Sequence, residues 1–169
     1  LHRHTFVKGP VSLDRDCTGC IVNHVTGEAM TASDTNRVRQ SVVLLIAESP
    51  AASRELGEAI EALGCMCHAV HDLAQAENIL THYAPDCVVM NYATPDGHGA
   101  ELIGLLRRRM MHKRTPIVLI TGEITEVELE RAIMHGIYAY LAKPFRVEEL
   151  QRLVGAAIAD YHTARLRKP

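Results

Sequence analysis

Short apolar runs alternate with helically spaced apolar residues along the chain from Ser41 onward. Runs that are mostly apolar predict buried strands at 42–46, 65–70, 87–90, 117–120 and 138–141. Between and after these runs, apolar residues three and four positions apart predict helices over 50–63, 73–80, 102–106, 127–134 and 147–158. Ser49 and Pro50 suit the start of the first helix, and Gly64 suits its end.

This alternation of strand and helix predicts an α/β domain with a five-stranded parallel sheet. Parallel strands need long crossovers, and helical crossovers cover both faces of the sheet. Right-handed crossovers then give a doubly wound fold, in which the functional pocket lies at the carboxyl ends of the strands. The segments to inspect are therefore those that directly follow each strand.

The chain outside this pattern is expected to be peripheral. Residues 1–40 show no sustained period of 2 or 3.6, which predicts a poorly ordered, flexible arm. Met30 followed by Thr31-Ala32-Ser33 resembles a natural start, so residues 1–29 are either foreign to the natural protein or part of a longer parent. We expect the domain to span 41–161, with 162–169 as a tail or the beginning of a linker.

Composition excludes several classes of protein. Hydrophobic residues make up 47% and charged residues 22% of the chain, which excludes a mostly disordered chain. The net charge of −2 gives no overall bias toward nucleic acid. No apolar run approaches the roughly 20 residues of a membrane span. The odd number of cysteines, 5, fits buried free thiols in a reducing cytosol better than disulfides, so we expect a cytoplasmic protein.

Polar residues that could bind a ligand or take part in a reaction follow four of the predicted strands. These segments are Ala47-Glu48-Ser49, Asn91-Tyr92-Ala93, Thr121-Gly122 and Lys143-Pro144-Phe145. A single Thr, Lys or Glu at the end of a strand means little. Placed together at one edge of one sheet, they predict a shared pocket.

Over roughly residues 42–160, the sequence resembles the receiver domains of response regulators in two-component signalling. The most specific stretch is Tyr140-Leu141-Ala142-Lys143-Pro144-Phe145. Pro85-Asp86 ahead of the third predicted strand, the loop from Thr94 to Gly99, and the strand from Pro116 to Thr121 also match. The resemblance implies a flavodoxin-like (βα)5 fold and a signalling module rather than an enzyme.

The resemblance also implies roles for individual residues. In that family an aspartate at the end of the third strand accepts a phosphoryl group from a histidine kinase, and acidic residues after the first strand hold Mg²⁺. A hydroxyl residue and a lysine bind the phosphoryl oxygens, and an aromatic residue switches position. Carried over by motif, Thr121 is the hydroxyl, Lys143 the cation and Tyr140 the switch aromatic.

The acidic positions depart from this pattern. Asn91 stands in the place of the acceptor aspartate, and an amide cannot form an acyl phosphate. Ala47 replaces the first acidic residue, while Glu48 remains at the second. Since Mg²⁺ needs several hard anionic oxygens, we expect weak or absent Mg²⁺ binding and no cofactor. We further expect the Lys143 ammonium to pair with Glu48 or with the Asn91 side-chain oxygen.

Three other features have simpler interpretations. Cys17 and Cys20, with His24 nearby, have metal-ligand spacing but lack a second pair, so two thiols on a flexible arm are favoured. The basic run at 107–109 and 112–114 fits a solvated helix end, with an anionic ligand as the alternative. His98 lies in the loop predicted above the pocket.

Two functions remain open at this point. The first is a phosphorylation-independent receiver that binds a signalling partner or an output domain, or that forms a homodimer through helix four, strand five and helix five. Tyr138 and Ala139 replace the acidic residues that one subfamily uses for salt bridges on that face, which leaves apolar contacts. The second is a pocket or arginine run that senses a small anion or nucleotide second messenger. A phospho-switch at Glu48 or Ser49 is a third, weaker alternative.

Overall fold

The computed structural model describes residues 5–7, 40–91, 99–109, 114–122 and 124–166, with the side chains of 5–7, 73, 99–102 and 109 left out of the description. The strands are β1 Thr5–Val7, β2 Val42–Ile46, β3 Met66–Val70, β4 Cys87–Asn91, β5 Ile117–Thr121 and β6 Ala139–Ala142. The helices are α1 Pro50–Glu61, α2 Leu73–His82, α3 Gly99–Arg109, α4 Glu126–Met134 and α5 Val147–Leu166.

The sheet has the strand order β1-β6-β5-β4-β2-β3. Strands β2 to β6 are mutually parallel, which confirms the predicted five-stranded parallel fold. Strand β1 pairs antiparallel with β6 at one edge. Strand β1 lies within residues 1–40, where the sequence predicts a poorly ordered arm, and three residues are too few to show a period of two.

Local signals set the helix boundaries. The Ser49 hydroxyl accepts a hydrogen bond of 3.2 Å from the Ala52 N–H and so caps α1 as predicted. Thr125 and Glu128 form a reciprocal capping box at the start of α4. Gly64 and Gly136 have φ values of 77° and 80°, a left-handed conformation that lets the chain leave α1 and α4 toward the next strand.

The core lies on both faces of the sheet. The α1 and α5 side holds one layer of aliphatic residues that includes Val43, Val89 and Leu150. The other side holds a second layer that includes Leu44, Met90 and Leu119. Because both faces are covered, β2, β4 and β5 are buried along their whole length, which explains their continuous apolar runs.

The last helix is longer than predicted. Helix α5 continues to Leu166, so the domain boundary expected at 161 falls inside the helix, and the first part of the supposed tail is helical. The polar residues beyond Tyr161 hid this extension, since Ala164 is the one apolar residue between Tyr161 and Leu166. Among the described residues, no helix combines the length and apolarity that crossing a membrane would require.

Candidate functional site

The segments that follow the parallel strands meet at one edge of the sheet, as predicted. Asn91 closes β4 and is the Cα partner of Ile120 on β5. Thr121 closes β5 and is the Cα partner of Ala142 on β6. Parallel strands with these registers end together, so Asn91, Thr121 and Lys143 lie along the same edge.

Asn91 occupies the middle of this edge. Its strand lies between β2 and β5, and its side chain is 0% exposed. A carboxylate at this position would face both neighbouring strand ends, but the residue present is a neutral amide. The position therefore has the geometry of a central functional group without the anionic oxygen that attacks phosphorus.

Lys143 forms the one ion pair of this edge among the described residues. Its Nζ lies 3.5 Å from Oε1 of Glu48, and the two side chains are 37% and 34% exposed. The expectation that the ammonium pairs with Glu48 or Asn91 is confirmed for Glu48. The Lys143 backbone N–H also donates to the Thr121 carbonyl at 2.7 Å, which ties the lysine to the end of β5.

Thr121 and Tyr140 lie on the same face of the sheet. Tyr140 is the Cα partner of Leu119, and Thr121 follows Leu119 by two residues, so strand alternation places both on the α4 side. Tyr140 is 8% exposed and packs into the apolar layer on that side. The Thr121 hydroxyl is buried and has no hydrogen-bond partner among the described residues.

The structure adds one residue that the sequence did not single out. The Nδ1 of His71 lies 3.1 Å from the Ala47 carbonyl and 3.4 Å from the Ser53 hydroxyl. A carbonyl can only accept, so the Nδ1 must carry a proton in the bond to Ala47. His71 directly follows β3 at the carboxyl edge of the sheet. This position in the sequence is the signal from which a role for His71 could have been predicted.

This arrangement offers few ligands to a cation. Within the described part of the chain, no group of three or more His, Cys, Asp or Glu side chains is placed to hold a metal ion. The Glu48 carboxylate is engaged with Lys143, and Ala47 contributes no side-chain oxygen. The donors that the described residues place at this edge do not fit Mg²⁺, which requires several hard oxygen ligands.

Arg107 belongs to the basic run at the end of α3, which the sequence predicts to be a solvated helix end. In the structure its side chain instead holds neighbouring segments together. Its guanidinium donates to the carbonyls of Thr115 at 2.7 Å and His135 at 3.2 Å, and also to that of Gly136. Burial lowers the pKa of Arg107 below its usual range. These bonds join α3 to the carboxyl end of α4, so Arg107 is engaged, whereas Arg108 and Arg114 are exposed.

Several residues considered in the sequence lie outside the described ranges. They are Cys17, Cys20, His24, His98, His112 and Lys113. The metal-like spacing in the arm and the histidine expected above the pocket therefore stay predictions.

A family model described as the response regulator receiver domain matches residues 43–155. Among curated proteins, the chain is 29% identical over 116 residues to the phosphate regulon transcriptional regulatory protein PhoB of Klebsiella pneumoniae. It is also 29% identical over 129 residues to the transcription factor SKN7 of Saccharomyces cerevisiae. The matched regions cover 68% and 76% of this chain but only 51% and 20% of those two proteins.

Solved structures with the same fold are also receiver domains. The signal receiver domain of an HD domain-containing protein from Pseudomonas fluorescens Pf-5 aligns with a TM-score of 0.68 at 25% identity, over 74% of this chain and 99% of that one. The beryllofluoride-activated NtrC4 receiver domain dimer aligns with a TM-score of 0.63 at 25% identity, over 71% of this chain and 98% of that one.

Proposed function

Since the chain belongs to the response regulator receiver family of two-component signalling, we propose that it is a receiver that signals without accepting a phosphoryl group. The observation that carries this proposal is Asn91, fully buried at the carboxyl end of β4. The family's chemistry needs a carboxylate there, and an amide cannot replace it. The domain would then act by binding a partner, an output domain or a second copy, with no catalytic step of its own.

The neighbouring residues support the same proposal. With Ala47 and Asn91 in place of acidic residues, Glu48 is the carboxylate that remains, and Lys143 is already paired with it. The site is therefore close to neutral overall, which gives a divalent cation little electrostatic attraction. A receiver without Mg²⁺ and without an acceptor would depend on binding events to change its state, and we place it in the cytoplasm.

The buried switch residues support retention of the two-state scaffold. Tyr140 is packed inward and the Thr121 hydroxyl has no partner among the described residues. In a two-state element, any ligand that prefers one arrangement shifts the population toward it. A partner protein on the surface formed by α4, β6 and α5 would provide such a preference. One of the structural relatives is described as a receiver domain dimer, which supports homodimerisation as one form of this binding.

Phosphodonor titration followed by NMR tests the proposal directly. The ¹⁵N-labelled chain would be titrated with Mg²⁺ and then with beryllofluoride, and the amide shifts of Thr121 and Tyr140 would be measured. We expect no Mg²⁺-dependent shift. The control is the double variant Ala47→Asp/Asn91→Asp, which rebuilds the acidic set and is expected to respond. A clear Mg²⁺-dependent response of the unmodified chain would overturn the proposal.

A second function, sensing of a small anion or nucleotide second messenger, is favoured by the buried Thr121 hydroxyl near a lysine. An anion that accepts from both groups would replace Glu48 as the partner of Lys143. The arginine run gives this function less support, because Arg107 already donates to three carbonyls. Calorimetric titration with inorganic phosphate and with nucleotides tests it, and binding that Thr121→Ala abolishes would favour it over the first proposal.

A further inference from the structure

The edge of the sheet at β6 is closed by a short strand from the other end of the chain. In the antiparallel pairing of β1 with β6, Thr5, Phe6 and Val7 are the Cα partners of Leu141, Tyr140 and Ala139. At the opposite edge, β3 has no further strand beside it among the described residues. Among the described residues, an additional strand therefore covers only the β6 edge. Strand β6 lies between α4 and α5 along the chain.

The backbone alternation identifies which residue pair holds this cover in place. The Lys143 N–H points toward β5, where it donates to the Thr121 carbonyl. Backbone groups alternate along a strand, so the N–H and C=O of Tyr140 point the other way, toward Phe6. Phe6 and Tyr140 therefore form the hydrogen-bonded pair, and the N–H groups of Thr5 and Val7 point away from β6.

Helix α4, which packs on the Tyr140 side of the sheet, carries exposed apolar side chains. Helix α4 packs Leu129 and Ile133 toward the layer that contains Tyr140. On the same helix, Val127 and Met134 are 57% and 85% exposed. An open β6 edge would present a row of unpaired backbone groups. Such an edge pairs readily with an identical edge across a two-fold axis, because the same surface is used by both copies.

We propose that Thr5–Val7 covers the β6 edge in cis and so regulates the pairing of two copies of this chain through the surface of α4, β6 and α5. The inference rests on the proposed function, since it adds a regulation to the surface through which the receiver would bind a second copy. Displacement of β1 would then be the event that releases the edge. It would also change the backbone partner of Tyr140, the residue whose position the family's switch uses.

The size of the cover suits a displaceable element. Three residues provide few backbone hydrogen bonds, each of small net stability. Because β1 pairs with β6 alone at the edge of the sheet, its departure breaks no pairing between β2, β3, β4, β5 and β6.

Two proline variants of the full chain test the pairing. Phe6→Pro removes the N–H that would bond to Tyr140, whereas Thr5→Pro removes an N–H that points away and is the matched control. Amide hydrogen exchange of Tyr140 is measured by NMR at a protein concentration low enough for every variant to be monomeric, with Lys143, which bonds to β5, as the internal reference. We expect Phe6→Pro to accelerate exchange at Tyr140 by about tenfold and Thr5→Pro to leave it unchanged.

Sedimentation equilibrium over a wide range of protein concentration tests the partner. We expect Phe6→Pro to dimerise at lower concentration than the unmodified chain. We expect Thr5→Pro to dimerise at the same concentration as the unmodified chain. Equal Tyr140 exchange in the chain and in Phe6→Pro would overturn the inference, as would unchanged or weaker dimerisation of that variant. Neither result depends on phosphodonors, so this inference and the phosphorylation-independent function can fail separately.

Discussion

The two ends of strand β4 carry buried polar side chains that serve different purposes. Asp86, directly before the strand, is 1% exposed, and Asn91, its last residue, is 0% exposed. The Asp86 carboxylate accepts from the Val42 N–H at 2.9 Å and lies 3.3 Å from Nε2 of His162. A buried carboxylate is present where the fold needs one, and absent where phosphoryl transfer would need one.

The surroundings of the two ends differ in the same way. At the amino end, the Thr115 hydroxyl donates to the Pro85 carbonyl at 3.1 Å, so that β4, β2 and the segment before β5 are tied together. At the carboxyl end, the Thr121 hydroxyl has no partner within the described part of the chain. Buried polar groups that are fully bonded specify a fold, whereas an unbonded one suits a site that binds or switches.

The largest effect expected from this comparison is the loss of Asp86. Asp86→Ala leaves the Val42 N–H buried without its acceptor and should lower the free energy of unfolding by about 3 kcal/mol. His162→Ala is the control and should cost less than about 1 kcal/mol, because the His162 side chain is 45% exposed and the bond to Val42 remains. Urea denaturation measures both, and equal losses would contradict a structural role centred on Val42.

A smaller effect is expected when the carboxyl end is given its missing charges. Ala47→Asp/Asn91→Asp should create a Mg²⁺ site together with Glu48, while lowering stability in the absence of the ion through carboxylate repulsion. At a Mg²⁺ concentration ten times the Kd, the variant should gain about 1.4 kcal/mol of unfolding free energy. Denaturation with and without Mg²⁺ measures this gain. A comparable gain in the unmodified chain would mean that the native edge already binds the ion.

The fold could be predicted from the sequence because each buried parallel strand is a continuous apolar run. The pocket followed from the same logic, since Asn91 and Thr121 are the last residues of their strands and Lys143 directly follows β6. Strand β1 could not be predicted, because three residues carry no periodic signal and their partner lies far along the chain. The roles of His71 and Arg107 depend on carbonyl groups of distant loops, which no side-chain pattern reveals.

The ion pair between Lys143 and Glu48 should contribute little to stability, unlike the network around Asp86. Both side chains are more than a third exposed, so water and salt screen the attraction between the two charges. A double-mutant cycle with Lys143→Met and Glu48→Gln should give a coupling energy of about 0.5 kcal/mol that decreases with added salt. A coupling as large as the loss in Asp86→Ala would remove the contrast between the two ends.

The last effect is confined to alkaline pH and concerns Cys67, whose Cα partner Val43 lies beside Cys87 at the amino side of the sheet. Burial, and after it the nearby carboxylate of Glu61, raise the pKa of the Cys67 thiol from 9.0 to about 11. A raised pKa in the folded state means that the protonated thiol stabilises the fold below pH 9, and that this contribution is lost as the pH rises toward 11. Denaturation at pH 8, 9, 10 and 11 should therefore show a steeper decline for the unmodified chain than for Cys67→Ala. Parallel declines would show that this thiol is as open to water in the folded chain as in the unfolded one, and that the dry environment of Asp86 does not extend to β3.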